Sequence, residues 1–164
     1  MIFEEIELAI ITRLKADTGT GGMYAGSAWA SFIAGGIFSN WGLPDTFTTP
    51  YGVLEINMQA DHTFPSDQFK VLCTIALFDN TRTGVNNIAK ACKRIYGDAV
   101  LQAGRVPSYG LHRHTLALAT NGYSATGGQV TVTSQSIGLK EGDEHTAVGI
   151  LSFEFMVQAV AANP

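Results

Sequence analysis

FKVLCTIALFDNTRTGVNNIAKACKRIYGD (69–98) changes its hydrophobic period once, and that change decides the fold. In the first half Phe69, Val71, Cys73, Ile75 and Leu77 alternate with other residues, so one face of a strand over 68–78 is apolar. After the polar turn DNTRTG, the residues Val85, Ile88, Ala89, Cys92, Ile95 and Tyr96 recur at i, i+3, i+4, i+7, i+10 and i+11. That spacing predicts a helix over about 84–97. Thr83 is placed to cap its start and Gly97 its end, while Lys90, Lys93 and Arg94 sit toward its C-terminus, where positive charge suits the helix dipole. A strand and a helix that each carry an apolar stripe bury both by lying one on the other.

Working outward, residues 51–60 alternate Leu54, Ile56 and Met58 against Val53, Glu55 and Asn57, a second strand. The seven-residue polar connection 61–67, which contains Pro65, makes an antiparallel hairpin of the two. Ile2, Ile6, Ile10 and Leu14, with Phe3 and Ala9 beside them, predict an amphipathic helix over 2–16 that stops at Asp17-Thr18-Gly19. Downstream, 112–119, 129–139 and 146–160 read as strands, with EGDE (141–144) turning the last pair into an extended C-terminal hairpin and ATNGYSATGG as a loop. Ile37-Phe38-Ser39 reads as a brief strand within a long Gly/aromatic insertion, 17–50. The expected fold class is α+β: a mostly antiparallel sheet of about five strands with two helices packed on one face. Residues 1–164 read as a single domain without repeats.

The 164 residues are 46% hydrophobic and 15% charged, with a net charge of −4. Apolar content this high and charge this low exclude a disordered chain, and two cysteines cannot staple a secreted scaffold of this length. An acidic balance disfavours a dedicated nucleic-acid binder. Charge is uneven: residues 1–82 hold four basic and nine acidic groups, and residues 83–164 six and five. Two faces that meet different partners would show such a split. The sparse charge also predicts a mild, partly apolar surface of the kind that packs against other chains. MIFEEIE places acids where a secretory leader needs bases, and the apolar stretch 25–38 is too short and interrupted to span a membrane. The expected site of synthesis is a cytosol.

No constellation for catalysis stands out. His112-x-His114 puts two imidazoles at a chelating spacing but needs a third ligand, so a hydrogen-bonded or solvated pair is the simpler reading. Cys73 and Cys92 fall on apolar stripes and read as buried thiols, with a disulfide between them the minor alternative. Gly19-Thr20-Gly21-Gly22 lacks the third glycine of a dinucleotide loop and follows a helix. Ser124 lies in GYSAT, with Thr126 where a nucleophile elbow needs glycine. Asp143 and Glu144 belong to a turn, where water accounts for them, and Arg82, Arg105, Arg113 and Lys140 are too scattered to read phosphate. No catalytic residue, metal or cofactor is therefore assigned.

The order of elements, carried by IFEEIELAIITRLKAD (2–17), GGIFSNW (35–41), TTPYGVLEI (48–56), the strand-to-helix stretch 69–98 and DEHTAVGILSFEF (143–155), resembles the tail-terminator and tail-completion proteins of long-tailed bacteriophages. The resemblance implies a structural virion subunit with no enzymatic activity. Such subunits form a ring, commonly hexameric, that caps the tail tube and joins it to the head connector. It implies as partners other copies of the chain, the tail tube protein and the connector or head-closure protein, with at most passing contact with DNA in the channel and none with a membrane. The location implied is the neck of the virion, assembled in the host cytoplasm. Candidate assembly contacts are the aromatic side chains Trp29, Phe32, Trp41, Phe47 and Phe64, with Arg82 and the hairpin acids Glu141, Asp143 and Glu144. Two other readings remain open: another neck component, such as a head-closure or minor tail protein, and a small-ligand-binding α+β domain. The last would need polar groups on inward positions that here read Ile, Val, Leu, Phe and Cys.

Overall fold

The computed structural model describes residues 2–17, 37–39, 50–60, 68–97, 109–118, 123–124 and 129–159. In chain order the elements are α1 (Ile2–Lys15), β1 (Ile37–Ser39), β2 (Tyr51–Ala60), β3 (Gln68–Asp79), α2 (Gly84–Tyr96), β4 (Tyr123–Ser124), β5 (Thr131–Lys140) and β6 (Asp143–Ala159). The fold is α+β, as expected, but its sheet rests on four long antiparallel strands in the order β2, β3, β6, β5 where about five were expected. Three-residue β1 runs parallel to β2, and two-residue β4, within a stretch read as loop, pairs with the end of β6 beyond β5.

The missing strand is 112–119. Its residues alternate as a strand's do, yet they are claimed by the end of α2. Leu111 N–H donates to Ile95 O at 2.8 Å and His112 N–H to Tyr96 O at 3.0 Å, which satisfies carbonyls that a helix end leaves open. The chain can pass this close because the crossing point is glycine on both sides. A Cβ on Gly110 would lie 2.2 Å from the Gly97 Cα, and both residues have positive φ. Arg113, also at positive φ, then bends the chain away, and among the described residues a single β-bridge, Thr115 to Gln129, joins the segment to another.

Register puts the inward residues in rows. Leu54, Ile75 and Leu151 pair across three strands, as do Ile56, Cys73 and Phe153, and Met58, Val71 and Phe155. Both helices lie over this face. Ile6, Ile10 and Leu14 of α1 and Ile88, Ala91, Cys92 and Ile95 of α2 join the strand residues in one buried cluster. Helix α2 is rotated slightly from its sequence stripe, with Ala91 and Gly84 buried and Val85 46% exposed. It lies closest to β6 at Gly149, where an added Cβ would meet Ile88 Cγ2 at 2.4 Å and Cys92 Sγ at 2.8 Å.

The turn into α2 is organised by a buried acid and not by Thr83, whose side chain makes no cap. Asp79 Oδ1 accepts from Thr81 N–H at 2.9 Å and Asp79 Oδ2 from Asn87 Nδ2 at 3.0 Å. At the other end Asp17, just past α1, takes a bidentate pair from Arg94, whose guanidinium also lies 3.5 Å from the Tyr109 ring centroid. The C-terminal ends of both helices and the capping segment are thereby joined.

Gly149→Ala should lower stability by about 1–3 kcal/mol, since the helix must move off the strand. Gly138→Ala, where nothing lies within 4 Å, should leave it nearly unchanged. Urea unfolding of the two variants checks the contrast, and equal effects would overturn the close-approach account.

Candidate assembly surface

Strand β5 is where the fold stops burying its residues. Paired with β6 along its whole length, Thr131–Lys140 is nonetheless exposed at every position but Val132, on both faces. Its sequence explains this: TVTSQSIGLK has polar residues on both sides, so neither face has enough apolar surface to draw it onto the core. Strand β5 therefore forms an exposed edge beside the packed part of β6, and only the turn residues 140–146 of the expected hairpin run past the end of β3. The turn is tighter than EGDE suggested, with Lys140 paired to Asp143 around Glu141 and Gly142. Asp143 closes it, accepting from Thr146 Oγ1 at 2.7 Å and His145 N–H at 2.9 Å. Those bonds hold its carboxyl below the usual range.

Between the hairpin and the start of α2 lies an open cleft of about 360 Å³. Arg82, Val85, Leu139, Glu144 and His145 line it. Leu139 is 57% exposed, and Ile137 two residues back is also exposed on the same strand face. Apolar side chains rimmed by charges of both signs suit a protein contact. Of the contacts expected from sequence, Arg82 and Glu144 are thus brought together here, with Glu141 and Asp143 at the adjacent turn. Trp29, Phe32, Trp41, Phe47 and Phe64 lie outside the described residues. Val85, Ile137 and Leu139 were missed. The signal for the last two was an apolar pair at period two in a strand otherwise polar on both faces.

The other candidates take structural places. Cys73 and Cys92 are free and buried, and burial pushes their thiols up to about 12 and about 11. His112 and His114 serve different elements. His112 stacks on Tyr96 at 4.6 Å and its Nδ1 accepts from Val132 N–H, while His114 faces α1 beside Arg13. Among the described residues no three His, Cys, Asp or Glu are grouped to hold a metal, and no helix is long and apolar enough to cross a membrane.

Burial first, then Arg113, holds the His112 imidazole below its ordinary range, and burial and then Arg13 do the same for His114. The folded chain therefore binds fewer protons than the unfolded chain once pH falls to the free-histidine value, about 6.5. This stability is complete above that pH and is lost as pH drops through the lowered folded values. Urea midpoints should fall between pH 7.5 and 5.5, and less steeply in His114→Gln; an unchanged slope in the variant would count against it. Compared with known proteins, the chain matches no family model and no curated protein.

Proposed function

We propose that this chain is a structural subunit of the neck of a long-tailed bacteriophage, of the tail-terminator or tail-completion kind. Copies close head to tail into a ring, hexameric as is usual for that family, which caps the tail tube and receives the head connector. Its work is assembly, with no bond made or broken. The resemblance in the order and wording of the sequence segments suggests the class, and one structural observation carries it. A ten-residue strand at the edge of the sheet, paired only with β6 among the described residues, is exposed on both faces although its partner strand lies in the core.

A monomer gains little from such a strand. At about 3.4 Å per residue it reaches roughly 34 Å, enough to supply much of the roughly 800 Å² that each partner gives to a stable contact. A ring needs two unlike surfaces on each copy, and a hairpin at one edge of the sheet supplies one of them. The unequal charge of the two halves of the chain suits neighbours of opposite character.

Size-exclusion chromatography with light scattering on the purified chain, alone and with tail tubes, tests the assignment. Rings in either condition support it, and a persistent monomer in both overturns it. Glu141→Lys with Glu144→Lys should weaken assembly at least tenfold with circular dichroism unchanged, because both side chains are exposed. Asp143 is left in place because its carboxylate holds the turn. Normally joined heads and tails in virions carrying this variant would exclude a role for the hairpin tip.

A further inference from the structure

A second cleft of about 360 Å³ opens between α1 and residues 114–117. Leu8, Ala9 and Leu116 give it apolar walls, and Leu8 is 61% exposed at its mouth. Glu5 lines it too, with both carboxylate oxygens buried and neither holding a hydrogen bond. No other buried side-chain polar atom among the described residues is left in this condition. Arg13, also in the lining, gives its Nε to Gly110 O at 2.9 Å. A buried carboxyl without a hydrogen bond is unfavourable, and a cation brought from outside the chain would give Glu5 the partner it lacks. Apolar walls around one acid suit a charged head on an aliphatic stem, as in a lysine side chain.

Charge on the rest of the chain narrows the source. The hairpin tip is a poor occupant, because Glu141 and Glu144 would be brought toward Glu4, Glu5 and Glu7 of α1. Helix α2 is the counterpart: it carries Lys90, Lys93 and Arg94 and no acid. Arg94 is taken by Asp17, whereas Lys90 and Lys93 are exposed one turn apart on its outer side.

We propose, building on the ring assembly above, that the α1 cleft is the socket for α2 of the next copy, with the Lys90–Lys93 pair of one copy reaching Glu5 of the other. The contact is heterologous, since each copy offers an acid-bearing cleft on one helix and a basic stripe on another. Repeated by rotation, it closes a ring.

Sedimentation velocity on the full chain, with thermal unfolding of the dissociated subunit, tests this. Glu5→Gln keeps the shape of the side chain and removes its charge. It should weaken association at least tenfold while the subunit melts at the same temperature or a few degrees higher, because no hydrogen bond inside the subunit is lost. Glu5→Lys alone should also abolish association, and Glu5→Lys combined with Lys90→Glu and Lys93→Glu should restore it. Wild-type association in Glu5→Gln would overturn the socket and leave the ring standing. A drop in subunit melting temperature in Glu5→Gln would make Glu5 an internal structural residue and overturn it as well. Failure of the charge exchange to restore association would exclude α2 as the occupant. A wild-type chain monomeric at every concentration and with tail tubes would end both the socket and the ring.

Discussion

The seating of α2 on β6 at Gly149 is the contact on which the remaining architecture depends. Only where a strand residue lacks a side chain can Ile88 and Cys92 come this near the sheet, and that approach sets the height of the whole helix. With α2 fixed there, its first turn meets Ala147 and the backbone of Asp79 around Gly84, and its far end buries Ile95 in the same core. Core packing at crystal-like density leaves no slack for an alternative seat. One missing Cβ therefore positions both ends of a helix and, through them, everything attached to those ends.

What is attached differs at the two ends. At the C-terminal end, Arg94 binds Asp17 while the carbonyls of Ile95 and Tyr96 receive Leu111 and His112. These contacts come from sequence positions 77 and 16 residues away, so the closure of two long loops is stabilised at one point. At the N-terminal end the reverse holds. Asp79 satisfies the turn internally, and Val85 is left facing the hairpin across an open cleft. The molecule is thus tied shut at one end of its helix layer and left open at the other, beside a strand with no cover. That asymmetry is what a subunit with distinct neighbours requires.

Much of this was legible in the sequence because burial on one face imposes a period. Strands β2, β3 and β6 and both helices bury one side each, and Ile75, Leu77, Ile88 and Ile95 all fell where their spacing placed them. The reading failed where alternation had another cause. His112 to Leu118 alternates in polarity, but its backbone bonds go to a helix end and to Val130, partners that no local pattern encodes. Val85 fits a helical stripe by spacing and is exposed because the helix is rotated by its fit at Gly149, a tertiary effect. The hairpin was visible, yet its exposure on both faces was not drawn from TVTSQSIGLK, although two-sided polarity is the signal. By position Glu5 is one of three acids, with Glu4 and Glu7, in the first two turns of α1, where the helix dipole alone accounts for negative charge. The cleft it lines is completed by His114, Leu116 and Ala117, more than a hundred positions away.

An edge strand left open is a hazard, and proteins that remain monomeric blunt it with proline, inward charges or a covering element. Among the described residues strand β5 has none of these past Val132, whose N–H donates to His112 Nδ1. It contains no proline, its one charge is Lys140 at its last position, and Ile137 and Leu139 stand exposed beside that open edge. The bulge between Val132 and Ser134 disturbs only its beginning, which leaves the apolar end regular and able to pair. A sequence that guarded against association would spend a lysine or proline near Gly138, where nothing lies within 4 Å to object. Among the described residues the chain instead keeps an exposed edge strand, a cleft at its base that sets Leu139 beside Arg82 and Glu144 and, on another helix, a buried acid without a partner. Each is unfavourable in a subunit alone and would be relieved by contact with another chain, which is the physical basis of the assembly proposed above.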